Sequence, residues 1–241
     1  MQNFEELAFE QTPMGELTLR RRFEPAADAE VFEVKLGDEY LMSSLFTVAE
    51  EALADLGLAA IDTDVAGEEW DVLVGGLGLG YTAVAALRDR RVRSLNVVDA
   101  LPEVIHWHSR QLLPVSAELV DDTRTRLAHV DFFALMRGEP DAYFDLPAAF
   151  HAILLDVDHT PSFPLAESHR DLYTADGLRR LVRHLAPGGV FALWSDEVPE
   201  AEFLGTLAEV FVEVHGHIVP FANPITGGTS QNGVYVARTP R

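Results

Sequence analysis

The stretch Asp156-Val-Asp158-His159 puts two carboxylates and an imidazole within four residues, directly after the apolar run Ala152–Leu155. A short apolar run bounded by polar residues reads as a buried strand, and the carboxyl end of a parallel strand is where a ligand crevice opens. Residues two apart on an extended chain point the same way, so Asp156 and Asp158 are expected to face that crevice together, with His159 beside them. Two acids so placed can hold an amine and take its proton, or one can stay protonated beside the other's charge. The plainer reading of the same residues is a capped loop, with Asp156 held by backbone amides.

A second constellation lies upstream. Val72-Leu-Val-Gly-Gly-Leu-Gly-Leu-Gly80 reads as a strand, a glycine turn and a helix starting near Tyr81-Thr82. Gly76, Gly78 and Gly80 allow a tight turn and a close backbone approach to a ligand; a turn without a ligand is the alternative. The dinucleotide fingerprint G-x-G-x-x-G, counted from Gly76, needs a glycine where Tyr81 stands. G-x-G-x-G suits an S-adenosyl nucleotide better, since it has no pyrophosphate to seat on the helix N-terminus. Asp99 ends the next apolar run, 19 residues after Gly80, where an acid can accept from both ribose hydroxyls. Asp131-Phe132 ends the third run. There Asp131 can accept from the adenine amine and Phe132 can pack on the ring, or Asp131 is simply a helix N-cap.

These groups need a scaffold that brings strand ends to one edge. From residue 70, short β-rich runs (Asp71–Val74, Ser94–Val98, Arg126–Val130, Ala152–Leu155, Val190–Trp194) alternate with helical segments near 80–89, 102–112, 115–121, 132–137 and 175–185. That alternation specifies βαβ units and a parallel sheet covered on both faces. After a helix near 199–209, Val210–Val219 and Gly233–Arg238 read as antiparallel strands joined by the loop Thr226–Gly233. Residues 1–46 differ in character. Leu17 and Leu19, Phe32, Val34 and Leu36, and Tyr40 and Met42 alternate with polar neighbours, and Gly37-Asp38 reads as a hairpin turn. Thr47-Val-Ala-Glu50 reads as a capping box, followed by Ala49, Leu53 and Leu56 at helical spacing and a stop at Gly57. The expected fold is α/β: a class I methyltransferase-type, doubly wound, mostly parallel sheet ending in an antiparallel hairpin. A small N-terminal antiparallel β-module (1–46) precedes this Rossmann-like domain (47–241).

Composition narrows the chemistry. Apolar residues are 48% of the 241, enough for a sizeable core, and the absence of cysteine removes disulfides, thiolate metal sites and a cysteine nucleophile. No apolar run approaches the ~20 residues of a membrane span, and Met1–Glu6 carries no leader pattern, so a cytoplasmic protein is expected. Net charge is −21, with 17 acids against 4 bases in residues 1–70. Such a field confers solubility, repels nucleic acid and anionic membrane, and suits a cationic substrate. Lys35 is the sole lysine, which leaves little for P-loop or Schiff-base chemistry. Arg20-Arg-Arg22 is too short for a nucleic-acid patch. His106 and His108 read as surface or groove residues, and no metal site is expected. Ser195-Asp196-Glu197, after the fifth strand, is placed at the crevice edge.

In order, Gly75–Gly80, Asp99, Asp131-Phe132, Asp156–Pro161, Leu172-Tyr173 and Leu185-Ala-Pro-Gly-Gly-Val190 resemble the spermidine synthase family of polyamine aminopropyltransferases, most of all its short bacterial spermidine synthase-like members. The resemblance covers nearly the whole chain. It implies a donor, decarboxylated S-adenosylmethionine, whose aminopropyl group passes to putrescine or a related amine. It also implies that Gly76, Gly78 and Gly80 wrap the nucleoside, Asp99 holds the ribose and Asp131 the adenine amine. Asp156 would orient and deprotonate the attacking amine, and Tyr173 would reach the active site. His159 stands where the family's second acid is usual, and Leu79 where true synthases usually carry an acid. Two other functions stay open: methyl transfer from S-adenosylmethionine, with Asp158 or His159 positioning the nucleophile, and nucleoside binding without catalysis. The expected partners are a small-molecule amine, polyamines included, and at most a second copy of the chain.

Overall fold

A computed structural model of the chain describes residues 4–12, 14–139 and 146–241; Met1–Asn3, on which the reading of the N-terminus partly rests, lie outside them. Strands β1 (Phe4–Thr12), β2 (Gly15–Glu24), β3 (Ala29–Leu36) and β4 (Glu39–Ser43) form one antiparallel sheet in that order. Leu17, Leu19 and Val34 are buried on one face, with Phe32 and Leu36 packed beside them, as the period-two pattern requires, while Val31 and Glu33 are buried on the other. Alternation also sorts the three arginines. Arg20 and Arg22 both donate through Nε to the buried Glu33 (2.7 and 2.8 Å), while Arg21 on the other face reaches Glu5 (2.6 Å). The triplet is thus built into cross-strand ion pairs.

The second sheet has seven strands in the order β10-β11-β9-β8-β5-β6-β7. Its parallel part comprises β5 (Trp70–Gly75), β6 (Val92–Asp99), β7 (Thr125–His129), β8 (Phe150–Leu155) and β9 (Leu185–Ser195). β10 (Glu213–Asn223) and β11 (Gly228–Arg238) close it as an antiparallel hairpin on β9. The residues read as a loop, Gly228–Asn232, continue β11 instead, paired with Val219–Asn223. Their polar side chains suggested a loop, but their backbone amides complete a ladder, which leaves a turn only at 224–227.

Helices cover both faces. α1 (Val48–Ala59), α3 (Tyr81–Leu87) and α4 (Pro102–Ser109) pack with Val72, Val74, Leu95 and Val97 in one core. α6 (Phe132–Arg137), α7 (Ala175–Val182) and α8 (Ala201–Ala208) pack with Leu73, Val98, Ile153, Leu155 and Leu193 in the other. Neighbouring residues of β5 and β6 thus divide between the two cores, as doubly covered strands must. Two shorter helices, α2 (Thr63–Ala66) and α5 (Ser116–Asp121), complete the set.

Helix α1 departs from its expected boundaries. Gly57 lies inside it, where a Cβ would come within 2.7 Å of Leu154 and 3.1 Å of Ala192; the glycine brings the helix close to the sheet and does not end it. Nor is there a capping box. Thr47 makes no side-chain cap bond, and its hydroxyl donates to Glu51 Oε1 at 3.1 Å.

Candidate active site

A cleft of about 850 Å³ opens at the carboxyl ends of β5, β6, β8 and β9. The four-stranded sheet supplies Met42 and Ser43 to one wall and the β10–β11 hairpin supplies Phe221 and Asn232 to another. Its floor is the turn Gly76–Gly80. Gly76 has φ +89°, and a Cβ there would lie 2.1 Å from the Asp156 carbonyl oxygen. Gly80, at φ +93°, would strike Leu119, His108 and Val115, all within 2.9 Å. These two glycines are required by the protein's own packing, and the turn they allow brings backbone into the cleft.

Asp99 secures that turn. Its Oδ2 accepts from Leu77 N at 2.9 Å and its Oδ1 from Leu101 N at 2.8 Å. Burial raises its pKa above the ordinary carboxylate value, against the pull of the Leu101, Leu77 and Gly78 amides. A carboxylate has about four lone-pair sites, so three amides still leave one acceptor site for a ligand. His108 holds the turn from behind. It is fully buried, with Nε2 3.0 Å from the Gly78 carbonyl and Nδ1 3.0 Å from Ser116 Oγ, and burial lowers its pKa. The sequence suggests a surface or groove residue, but bonds to Gly78 and Ser116 draw it inside. Asp131 caps α6, with Oδ1 accepting from Phe133 N (2.8 Å) and Ala134 N (3.2 Å), and also lines the cleft beside Phe132. Both expected roles of Asp131 are geometrically compatible, because the cap occupies one oxygen only.

The acidic pair is not the one expected. Asp156 lines the cleft and accepts from Thr82 Oγ1 at 2.7 Å, but Asp158 does not line it. Asp158 is 1% exposed; its Oδ1 accepts from Leu165 N (2.7 Å) and His169 Nδ1 (2.8 Å), and its Oδ2 from Tyr173 Oη (2.5 Å). Tyr173 is buried with it and lines no part of the cleft either. Strand β8 ends at Leu155, so the two-residue rule that aligned Asp156 with Asp158 lapses before it reaches either acid. His159 does line the cleft, and its carbonyl accepts from Asp196 N at 2.7 Å.

The acid that does accompany Asp156 is Glu50, in the first turn of α1. Thr82 ties the two: its hydroxyl donates to Asp156, with the Glu50 carbonyl 3.3 Å away. Burial and then the Asp156 charge push Glu50 up to about 8, and burial pushes Asp156 up to about 6. The pair thus carries fewer than two negative charges near neutral pH. Capping statistics disguised Glu50, although it shares a helical face with the buried Leu53, Ala54 and Gly57 at i, i+3, i+4 and i+7. An acid on a buried face is itself a signal. Asp196 and Glu197 line the cleft near its rim, and Asn232 Nδ2 donates to both the Asp196 carbonyl (2.8 Å) and Oδ1 (3.1 Å). Trp194 lines the cleft as well.

No protein-family model matches the chain, and no curated protein matches it in sequence. Solved structures do match. A spermidine synthase in complex with the transition-state analogue AdoDATO aligns over 97% of this chain and 73% of its own, with TM-score 0.72 and 16% identity. The spermidine synthase from Thermotoga maritima aligns over 97% and 72%, with TM-score 0.71 and 16% identity. This chain has the spermidine synthase fold. Human methyltransferase-like protein 13 in complex with SAH aligns over 80% of this chain and 82% of its own, with TM-score 0.53 and 18% identity, as the shared class I methyltransferase-type sheet requires. Among the described residues no helix is long and apolar enough to cross a membrane, and no three His, Asp or Glu side chains are grouped to hold a metal ion.

Proposed function

We propose that this chain transfers an aminopropyl-type alkyl group from a decarboxylated S-adenosylmethionine-like donor to an amine. One observation carries the reading: among the described residues six carboxylates (Glu50, Asp99, Asp131, Asp156, Asp196 and Glu197) line the cleft, and no lysine or arginine does. The α-carboxylate of S-adenosylmethionine would meet uncompensated negative charge there, whereas a decarboxylated donor and an amine acceptor bring positive charge only. The two synthase structures of like fold, one holding AdoDATO, support the same reading.

The nucleoside lies over the Gly76–Gly80 turn, with Asp99 on the ribose and Asp131 and Phe132 at the base. The acceptor lies over β8 and β9, between the inner pair Glu50–Asp156 and the rim pair Asp196–Glu197. The amine nitrogen attacks the methylene next to the sulfonium, the C–S bond breaks, and its electron pair leaves on sulfur as a neutral thioether, methylthioadenosine. A free amine has a pKa near ~10 and is protonated near neutral pH, so the nitrogen must shed a proton to free its lone pair before the C–N bond forms. Asp156, ionised above about pH 6, accepts it.

Separate calorimetric titrations with methylthioadenosine, decarboxylated S-adenosylmethionine, S-adenosylmethionine and S-adenosylhomocysteine test this. The two ligands without a carboxylate should bind more tightly; tighter binding of the two carboxylate-bearing ligands would favour methyl transfer instead. In the same assay Asp99→Ala should lose about 1.5–3 kcal/mol of methylthioadenosine affinity, the scale of a hydrogen bond to a charged group. Equal affinity in parent and variant would remove Asp99 from the ribose.

A further inference from the structure

The Asp158 network ends in the cleft. His169, in the 3₁₀ helix Glu167–Tyr173, lines the cleft on the side of Asp131, Phe132 and Phe133. Its ring is fixed twice: it stacks on Phe133 with centroids 3.6 Å apart and an interplanar angle of 8°, and its Nδ1 lies 2.8 Å from Asp158 Oδ1. Asp158 uses its oxygens to accept, from Leu165 N, Tyr173 Oη and His169. Burial beside the Asp158 charge holds the Tyr173 phenol well above its ordinary pKa, so that group stays a donor. The proton between Asp158 and His169 therefore sits on Nδ1, and in the neutral ring Nε2 is left as a bare acceptor. With Nδ1 turned to the buried acid, the ring edge presented to the cleft is the one that carries Nε2.

We propose that His169 is a specificity residue that reads the purine: Nε2 accepts from the exocyclic amine of adenine, while Asp158 and Phe133 hold the imidazole in the tautomer and plane this requires. The proposal rests on the nucleoside placement given above. An amine has two N–H groups, so Asp131 and His169 can each take one. A 6-oxo purine brings an acceptor to the same place and leaves Nε2 facing a lone pair, the arrangement by which a polar site rejects an analogue lacking the donor. Asp158 and Tyr173 are positioning residues in this scheme, acting through the His169 ring.

The test is the ratio of affinities for methylthioadenosine and its 6-oxo counterpart methylthioinosine, by calorimetry, in the parent and in His169→Phe. Phenylalanine keeps a flat ring against Phe133 and removes the acceptor. The parent should prefer methylthioadenosine by tenfold or more. In the variant the preference should narrow by about five- to tenfold, the scale of one hydrogen bond, mainly through weaker methylthioadenosine binding, with Asp131 keeping the remainder. Should thermal melting show His169→Phe unfolded, His169→Gln carries the test. Its amide can turn to donate or to accept, so methylthioinosine binding should strengthen relative to the parent. An unchanged ratio in a folded variant overturns the proposal while leaving the nucleoside site intact. Failure of the parent to bind either nucleoside overturns the placement of the nucleoside and the role of His169 together.

Discussion

Asp156→Asn should lower turnover by about 10²–10⁴-fold, roughly 3–5 kcal/mol of barrier, and leave methylthioadenosine affinity within a few-fold. The substitution is nearly isosteric, and Thr82 Oγ1 can still donate to the amide oxygen as it does to Asp156 Oδ2. It also removes a charge that Glu50 opposes, so the variant should fold at least as well as the parent, and lost turnover cannot be put down to unfolding. The assay supplies decarboxylated S-adenosylmethionine with putrescine, cadaverine, agmatine or spermidine and follows methylthioadenosine release; a parallel run supplies S-adenosylmethionine and follows S-adenosylhomocysteine. The parent rate should climb as pH rises through about 6, where Asp156 loses its proton, and the residual rate of the variant should lack that limb. Undiminished release in the variant would remove Asp156 as the base. Release of S-adenosylhomocysteine alone would replace aminopropyl transfer with methyl transfer.

Glu50→Gln should act on stability and on the acceptor, with a sign set by linkage. The folded-state pKa of Glu50, about 8, lies above its ordinary value of 4.5, so the native state holds a proton that the unfolded chain releases. Stability from this group is complete below about pH 4.5, falls as pH rises, and is gone above about 8. Asp156, raised from 3.8 to about 6, adds loss in the same direction over a lower window. Glutamine mimics the protonated acid at every pH. Parent and variant should therefore melt nearly together at pH 5, and the variant should be more stable at pH 8.5. After allowance for solvent reaching the cleft, that advantage is on the order of 1–3 kcal/mol, about 2–4 °C of Tm per kcal/mol in a domain of this size. At pH 8.5, where Glu50 is ionised, removing its charge should also raise KM for a cationic acceptor by roughly tenfold, one charge-assisted hydrogen bond, with methylthioadenosine affinity unchanged. Parallel melting curves across this pH range would show that Glu50 is not the proton holder.

Local periodicity and turn chemistry were legible from residues alone. The βα alternation after residue 70, the alternating strands before residue 46 and the glycine turn all follow from neighbours within a few positions, and Asp99 and Asp131 fall at the ends of β6 and β7 because strand length places them there. Side-chain direction beyond the last paired residue was not legible. Asp158 turns inward because Leu165, His169 and Tyr173, 7 to 15 residues on, offer three donors that a solvent-facing carboxylate would forgo. Glu50 matches a capping pattern as well as a cleft position, and only the packing of α1 against the sheet through Gly57 turns it toward Asp156. His108 is drawn in by Gly78 and Ser116, and Asn232 reaches the cleft because pairing with β10 outweighs the loop-like composition around it. Backbone periodicity is set by adjacent residues. The face a polar side chain presents is set by which distant groups leave a donor or acceptor unpaired, and that becomes known only once the chain has closed on itself.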